Sequence, residues 1–222
     1  MKRTLLIVFC VSVGMGALGY TSWSQSTSST VEAQPAPAMD DQTVKTIEVH
    51  GILPLKTKTD LIGESEVIVR GKVKDLLPSR WSNPNWERGQ TIRNIVQTDV
   101  VVHVNQVYKG TPYDKDIAVR VDKGEVGNTV WKSEDEPDFT KGEDVILFLN
   151  QDNSDVARPE ETYYVLSGML QGKFSLDPKH PEDKRFHNDK ESIDPASLTD
   201  EIPKEEEAYK KRPKPTPAKG DI

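Results

Sequence analysis

Two tryptophans five residues apart in a strongly polar stretch are the first side chains here with evident chemistry. Residues 79–94 read SRWSNPNWERGQTIRN, so Arg80, Trp81, Asn83, Asn85, Trp86, Arg88, Arg93 and Asn94 combine aromatic faces with planar cations and amides. Indole rings stack on sugars or anchor peptide side chains, while arginine and asparagine supply directional hydrogen bonds. The same rings have a second use, folding down to plug one end of the domain, and the sequence leaves both roles open. A later polar stretch, residues 123–141, adds Glu125, Asn128, Trp131 and Asp138. These either join the same surface or satisfy loop backbone. The candidate binding residues are therefore Arg80, Trp81, Asn85, Trp86, Arg88, Arg93, Asn128 and Trp131.

Nothing comparable points to catalysis. His103 sits in mid-strand, where a histidine serves as a cross-strand polar partner. His180 and His187 are seven apart in a Pro- and charge-rich segment, without the spacing of a closed metal site. Asp152-Asn-Ser-Asp155 lacks the alternating ligands, central glycine and distal glutamate of a calcium loop. No GxSxG, HExxH, P-loop or GxGxxG pattern occurs. No catalytic residue, metal ligand or cofactor is assigned. The one enzymatic alternative is a hydrolase built on Glu125 or Asp138, which would need two close carboxyls, one holding its proton unusually tightly.

Totals narrow the field further. A net charge of −7 with both signs well mixed argues against nonspecific nucleic-acid binding, which needs a basic footprint. Cys10 is the only cysteine and lies inside an apolar run. The remainder of the chain has no thiolate chemistry or disulfide to draw on, and its core must stabilise it.

The elements that would position the two loops are strands. In residues 98–110, TDVVVHVNQVYKG, Val100, Val102 and Val104 point one way and Val101, His103 and Asn105 the other. The alternation slips at Asn105–Gln106 and places Val107 on the His103 side, which predicts a bulge or strong bend. Residues 67–77 alternate likewise, with Gly71 on the apolar face leaving room for a crossing strand or a sharp bend. Ile117, Val119 and Val121 face inward in a third strand. Residues 143–150, EDVILFLN, form an apolar run buried on both faces or along most of its length. YYVLS (163–167) and GKFSL (172–176) flank a hairpin-length connection with glycine at both ends. Thr57 with Asp60 makes a capping box for one or two helical turns. Ile47 to Leu55 is a short strand or docking segment. Sandwiches and small barrels fit five or six such strands, and two glycine-bent or bulged long strands favour a barrel. The expected fold is mostly β, closed or partly open, with at most one short helix.

A basic start before an apolar run to about Tyr20 reads as a cleaved export signal or an uncleaved N-terminal membrane anchor. Residues 21–46 read as a flexible spacer, 47–177 as the barrel domain and 178–222 as a solvated, charged, Pro-rich tail with at most a transient helix over 197–211.

The order of these strands resembles the netrin-like domain family, which includes tissue inhibitors of metalloproteinases. The matching residues are Val67, Val69, Gly71 and Val73, then Tyr108-Lys-Gly110, then Lys141-Gly142 ahead of Leu147-Phe148-Leu149. The resemblance spans about residues 64–170 and implies an OB-like Greek-key barrel. The family's inhibitors reach a protease zinc through an N-terminal cysteine held by disulfides. This domain has none, so that activity does not carry over. The expected function is a noncatalytic binding module outside the cytoplasm, with a protein or glycan partner, no nucleic acid, and membrane contact only through the N-terminal segment. The alternative is a structural envelope protein that contacts wall or membrane polymer through its charged tail.

Overall fold

The computed structural model describes residues 43–85 and 93–213. In chain order these form β1 (Lys45–Val49), α1 (Lys58–Glu64), β2 (Val67–Leu76), β3 (Arg80–Trp81), β4 (Val96–Lys109), β5 (Asp116–Val121), β6 (Gly124–Val126), β7 (Thr129–Ser133), β8 (Asp144–Asn150) and β9 (Tyr164–Leu166). A 3-10 turn (Met169–Gly172) leads to β10 (Lys173–Leu176), β11 (Phe186–His187), β12 (Ser192–Ile193) and α2 (Leu198–Lys210).

Five strands close a barrel. β2, β4 and β5 run as an antiparallel meander, and β8 returns to the second edge of β2. β9 fills the gap, antiparallel to β8 and parallel to β5. The order β2-β4-β5-β9-β8 is an OB-like Greek-key barrel. Its interior holds the sets the alternation predicts, Val67, Val69 and Val73 from β2, Val100, Val102 and Val104 from β4, and Ile117, Val119 and Val121 from β5, joined by Val145, Leu147 and Leu149 from the apolar run of β8. The slip after Val104 is a bulge, because Gly71 faces Val104 while Arg70 faces Gln106, leaving Asn105 as the extra residue. A Cβ on Gly71 would lie 2.6 Å from the His103 carbonyl oxygen and 2.7 Å from Val102 Cγ1. Only glycine lets β4 bend this closely over β2.

The outer face of β2 and β8 is also apolar. Ile68, Ile146 and Phe148 point away from the barrel into a second core with Leu61 and Ile62 of α1, Phe174, Phe186, Ile193, and Leu198 and Ile202 of α2. This is why residues 144–150 read as a continuous apolar run. The capping box at Thr57 and Asp60 starts α1 as predicted. The Gly63 site accepts the ring of Tyr209, and Lys58–Glu201, Thr59–Glu205 and Arg212–Asp60 contacts tie α1 to α2.

Three expectations need correction. Residues 178–213 are not a solvated tail: they carry β11, β12 and α2, and α2 docks through only two buried side chains, Leu198 and Ile202. Among the described residues there are consequently two α-helices, not one at most. The YYVLS and GKFSL strands do not pair with each other. β9 pairs with Leu149 and Asn150 of β8, and β10 with Val145 to Leu147, so both share one edge of β8. The physical reason is the 3-10 turn between them, entered at Gly168 with φ 70°. The proposed signal, most of the spacer and residues 214–222 lie outside the described residues. Among the described residues no helix is long and apolar enough to cross a membrane.

Gly71→Ala is expected to cost about 2 kcal/mol through backbone overpacking, and Leu198→Ala about 3 kcal/mol through a cavity in the second core. Urea denaturation measures both. A Leu198→Ala variant as stable as wild type would mean that α2 contributes nothing to the fold.

Candidate functional site

β2 runs to the barrel rim, and the chain leaving it, Leu76-Leu77-Pro78-Ser79, forms one wall of a groove of about 460 Å³. The β6–β7 hairpin forms the other, through Val130 and Trp131. Val100, Val121 and Phe139 line the part nearest the barrel core. Leu76 and Leu77 remain 41 % and 43 % exposed. A hydroxyl relay holds the walls in place. Ser79 Oγ lies 2.8 Å from Thr98 Oγ1, Thr98 Oγ1 donates to the Lys123 carbonyl at 2.6 Å, and the Glu125 N–H donates to Ser79 Oγ at 3.2 Å. Lys123 closes the rim, with Nζ 2.6 Å from Asp138 and 3.3 Å from the Glu136 carbonyl. β1 backs the hairpin, parallel to β7, with Ile47 opposite Trp131.

Beside this rim are two carboxyls whose pKa values are raised. Burial pushes Glu136 up from 4.5 to about 8, the nearby Asp122 carboxyl adds to the rise, and a hydrogen bond from the Asp122 backbone offsets part of it. Burial also raises Asp122, against a hydrogen bond from Gln97 Nε2 at 2.9 Å. Desolvation dominates in both because charge is costly away from water.

A second assembly lies on the outer face of β4 and β5. Arg120 binds Asp99 through two hydrogen bonds of 2.7 and 2.9 Å and Glu161 through one of 2.6 Å, and its guanidinium lies 3.5 Å from the centroid of the Tyr163 ring. Arg80 binds the same two carboxylates. Hydrogen bonds from Arg80 and Arg120 hold Glu161 down at about 2, against partial burial. Arg158 Nε donates to the Ser82 carbonyl at 2.8 Å, which fastens the β8–β9 loop to β3.

The candidate residues thus divide. Trp131 lines the apolar groove. Arg80 turns into the ion network. Trp81 is half-buried on β3, opposite Val96, and is not part of the barrel-interior cluster. Asn85 and Arg93 line a separate polar cleft of about 310 Å³ with Ser82, Asp155 and Arg158. Asn128 is exposed at the hairpin turn, its carbonyl accepting the Lys45 N–H at 2.8 Å. Trp86 and Arg88 lie outside the described residues. Glu125 and Asp138 are exposed on the groove rim. His103 is a cross-strand partner, 2.5 Å from Asp116 across β4 and β5. Sequence reasoning missed Leu76, Leu77 and Val130 as groove residues and Glu161 as the partner of Arg80. The exposed Leu-Leu pair ahead of Pro78 was the available signal for the groove. Among the described residues no group of three or more His, Cys, Asp and Glu side chains is placed to hold a metal ion. No protein-family model matches the chain, and no curated protein matches it.

The Glu136 shift has a consequence for stability. The folded carboxyl keeps its proton to about 8, whereas an ordinary one releases it near 4.5. Folding therefore takes up a proton between these values, and this contribution to stability falls as pH rises through the window. Glu136→Gln is expected to flatten the decline between pH 5 and 8, measured by urea denaturation at each pH. An unchanged slope in the variant would show that Glu136 ionises freely.

Proposed function

We propose that this protein is a noncatalytic binding module acting outside the cytoplasm, and that the groove between residues 76–79 and the β6–β7 hairpin receives an apolar side chain of a protein partner. The observation that carries the reading is the groove itself. Two exposed leucines face a tryptophan-bearing hairpin across a cleft large enough for one or two side chains, beside polar rim groups that can fix orientation. It takes Trp131, Glu125 and Asp138 from the second loop region that the sequence singles out, and only Ser79 from the first. Location outside the cytoplasm is supported by the basic and apolar start of the chain. A cysteine-free relative of netrin-like domains is the family reading that the strand signature and the closed barrel support. A glycan ligand rests on the Trp/Arg/Asn loop, and Asn85 and Arg93 of that loop line the polar cleft instead. The alternative of a tail that contacts wall polymer draws on residues of which 178–213 are packed into the fold.

Leu77→Asp and Trp131→Ala test the reading. Each is expected to reduce capture of the partner from an envelope fraction about tenfold or more, as for a buried anchor in an interface. Circular dichroism and the urea midpoint of each should stay close to wild type. Capture undiminished in both variants would remove the groove as the binding site.

A further inference from the structure

Three guanidinium groups from three separate segments converge on one carboxylate. Glu161 accepts two hydrogen bonds from Arg80 of β3, one from Arg120 of β5 at 2.6 Å and one from Arg158 of its own loop at 3.4 Å. Among the described residues, Asp99 is the other carboxylate bonded to this set, through Arg120 and Arg80. Three cations thus share two anions. Asp122 and Asp152 lie nearby but are engaged by Gln97 and by the Tyr163 hydroxyl. The Arg120 side chain is 1 % exposed, and its Nη1 has no hydrogen-bond partner. A latch between β5 and the loop needs one ion pair. Arg158 is also committed through Nε and Nη2 to the Ser82 and Trp81 carbonyls, so the capacity beyond what Glu161 supplies is the unfilled Nη1 of Arg120.

The occupant indicates the ligand. Glu161 closes the turn Arg158-Pro159-Glu160-Glu161, its N–H donating to the Arg158 carbonyl at 3.0 Å, and it reaches the arginines on a two-methylene arm. Its side chain is 27 % exposed, so the socket opens to solvent on that side. We propose that Arg80, Arg120 and Arg158 form a recognition site for a glutamate side chain of an acidic peptide segment, and that Glu161 occupies the site in cis until such a segment displaces it. The site is separate from the apolar groove and does not rest on the reading given to it. Tethering gives Glu161 a high effective concentration, so a competing peptide must present several acidic groups.

The test uses the full chain, as wild type and as Glu161→Ala. Each is titrated with a five-residue glutamyl peptide, with an oligogalacturonate of equal charge, and with sodium chloride at matched ionic strength, read by calorimetric binding and by melting temperature. The expected result is that Glu161→Ala melts below wild type, and that the glutamyl peptide binds it and raises its melting temperature saturably. Binding to wild type should be weaker by on the order of tenfold or more. Adding Arg80→Gln to Glu161→Ala should abolish binding. Glu161→Gln, which keeps the side-chain volume, takes the place of Glu161→Ala if the alanine variant does not fold. No saturable binding to the Glu161 variant, or equal binding to both proteins, would overturn the proposal. Tighter binding of the oligogalacturonate than of the peptide would overturn the assignment of ligand class.

Discussion

A strand that must hydrogen-bond along both edges sets the geometry of this molecule. β2 pairs with β4 on one side and with β8 on the other, and from Ile68 to Lys72 its residues have partners on both. An open sheet would leave exposed the edge of β5 and the Leu149–Asn150 end of β8 beyond β10. Closure through β9 removes both, at the expense of a sharp bend that the β4 backbone must absorb. The bend is concentrated at the Gly71–His103 approach and at the Asn105 bulge, where β4 passes from one side of the cylinder to the next.

Closure has a second effect. Once β2 and β8 lie side by side, their outward residues Ile68, Ile146 and Phe148 form an apolar surface that solvent cannot be left to cover. Both helices and β10 to β12 are recruited to it. The only cysteine is Cys10, so no disulfide joins any two parts of this chain. A five-stranded barrel alone offers a thin core, and the second cluster adds a further set of buried apolar side chains that hold the fold together. The helix α2 is charged on most of its surface and contains Pro203, yet it remains seated because Leu198 and Ile202 sit one turn apart over that cluster and Tyr209 lies on Gly63.

Much of this was legible in period-two patterns, since a half-buried strand declares its inner face directly. The valine face of β4, the slip at Asn105, the inward set of β5 and the doubly buried β8 all follow from the sequence. α2 was not legible as docked. Two apolar residues four apart amid nine charged or polar neighbours look like a solvated segment, and what holds them is the outer face of a sheet fifty residues earlier. The hairpin β6–β7 was hidden for a related reason: its half-exposed strands are short and satisfy their backbone against β1, a partner about eighty residues away in sequence. The candidate site was legible only as a pair of loops. Tryptophans and arginines announced polarity and aromaticity, but the pairing of Arg80 with Glu161 joins positions 81 residues apart, and no local pattern encodes it.

The outer face of β4 and β5 shows what those charges accomplish. Gln97 and Asp99 of β4, Arg120 of β5 and Asp122 just beyond its end share this face and are buried or half-buried beside the β8–β9 loop. Apolar residues there would bind a covering loop with no desolvation penalty, and replacing buried ion pairs in that way is often neutral or stabilising. Apolar residues would also accept any covering segment in any register. Within the chain the charged face selects one register, in which Glu161 meets three guanidiniums, Tyr163 lies on Arg120 and Asp152 takes the tyrosine hydroxyl. The loop is thereby fixed in register against β3 through Arg158, and the end of β9 is delivered to the gap between β5 and β8. The polar face thus positions the strand that closes the barrel, which is why so much buried charge is compatible with a stable fold.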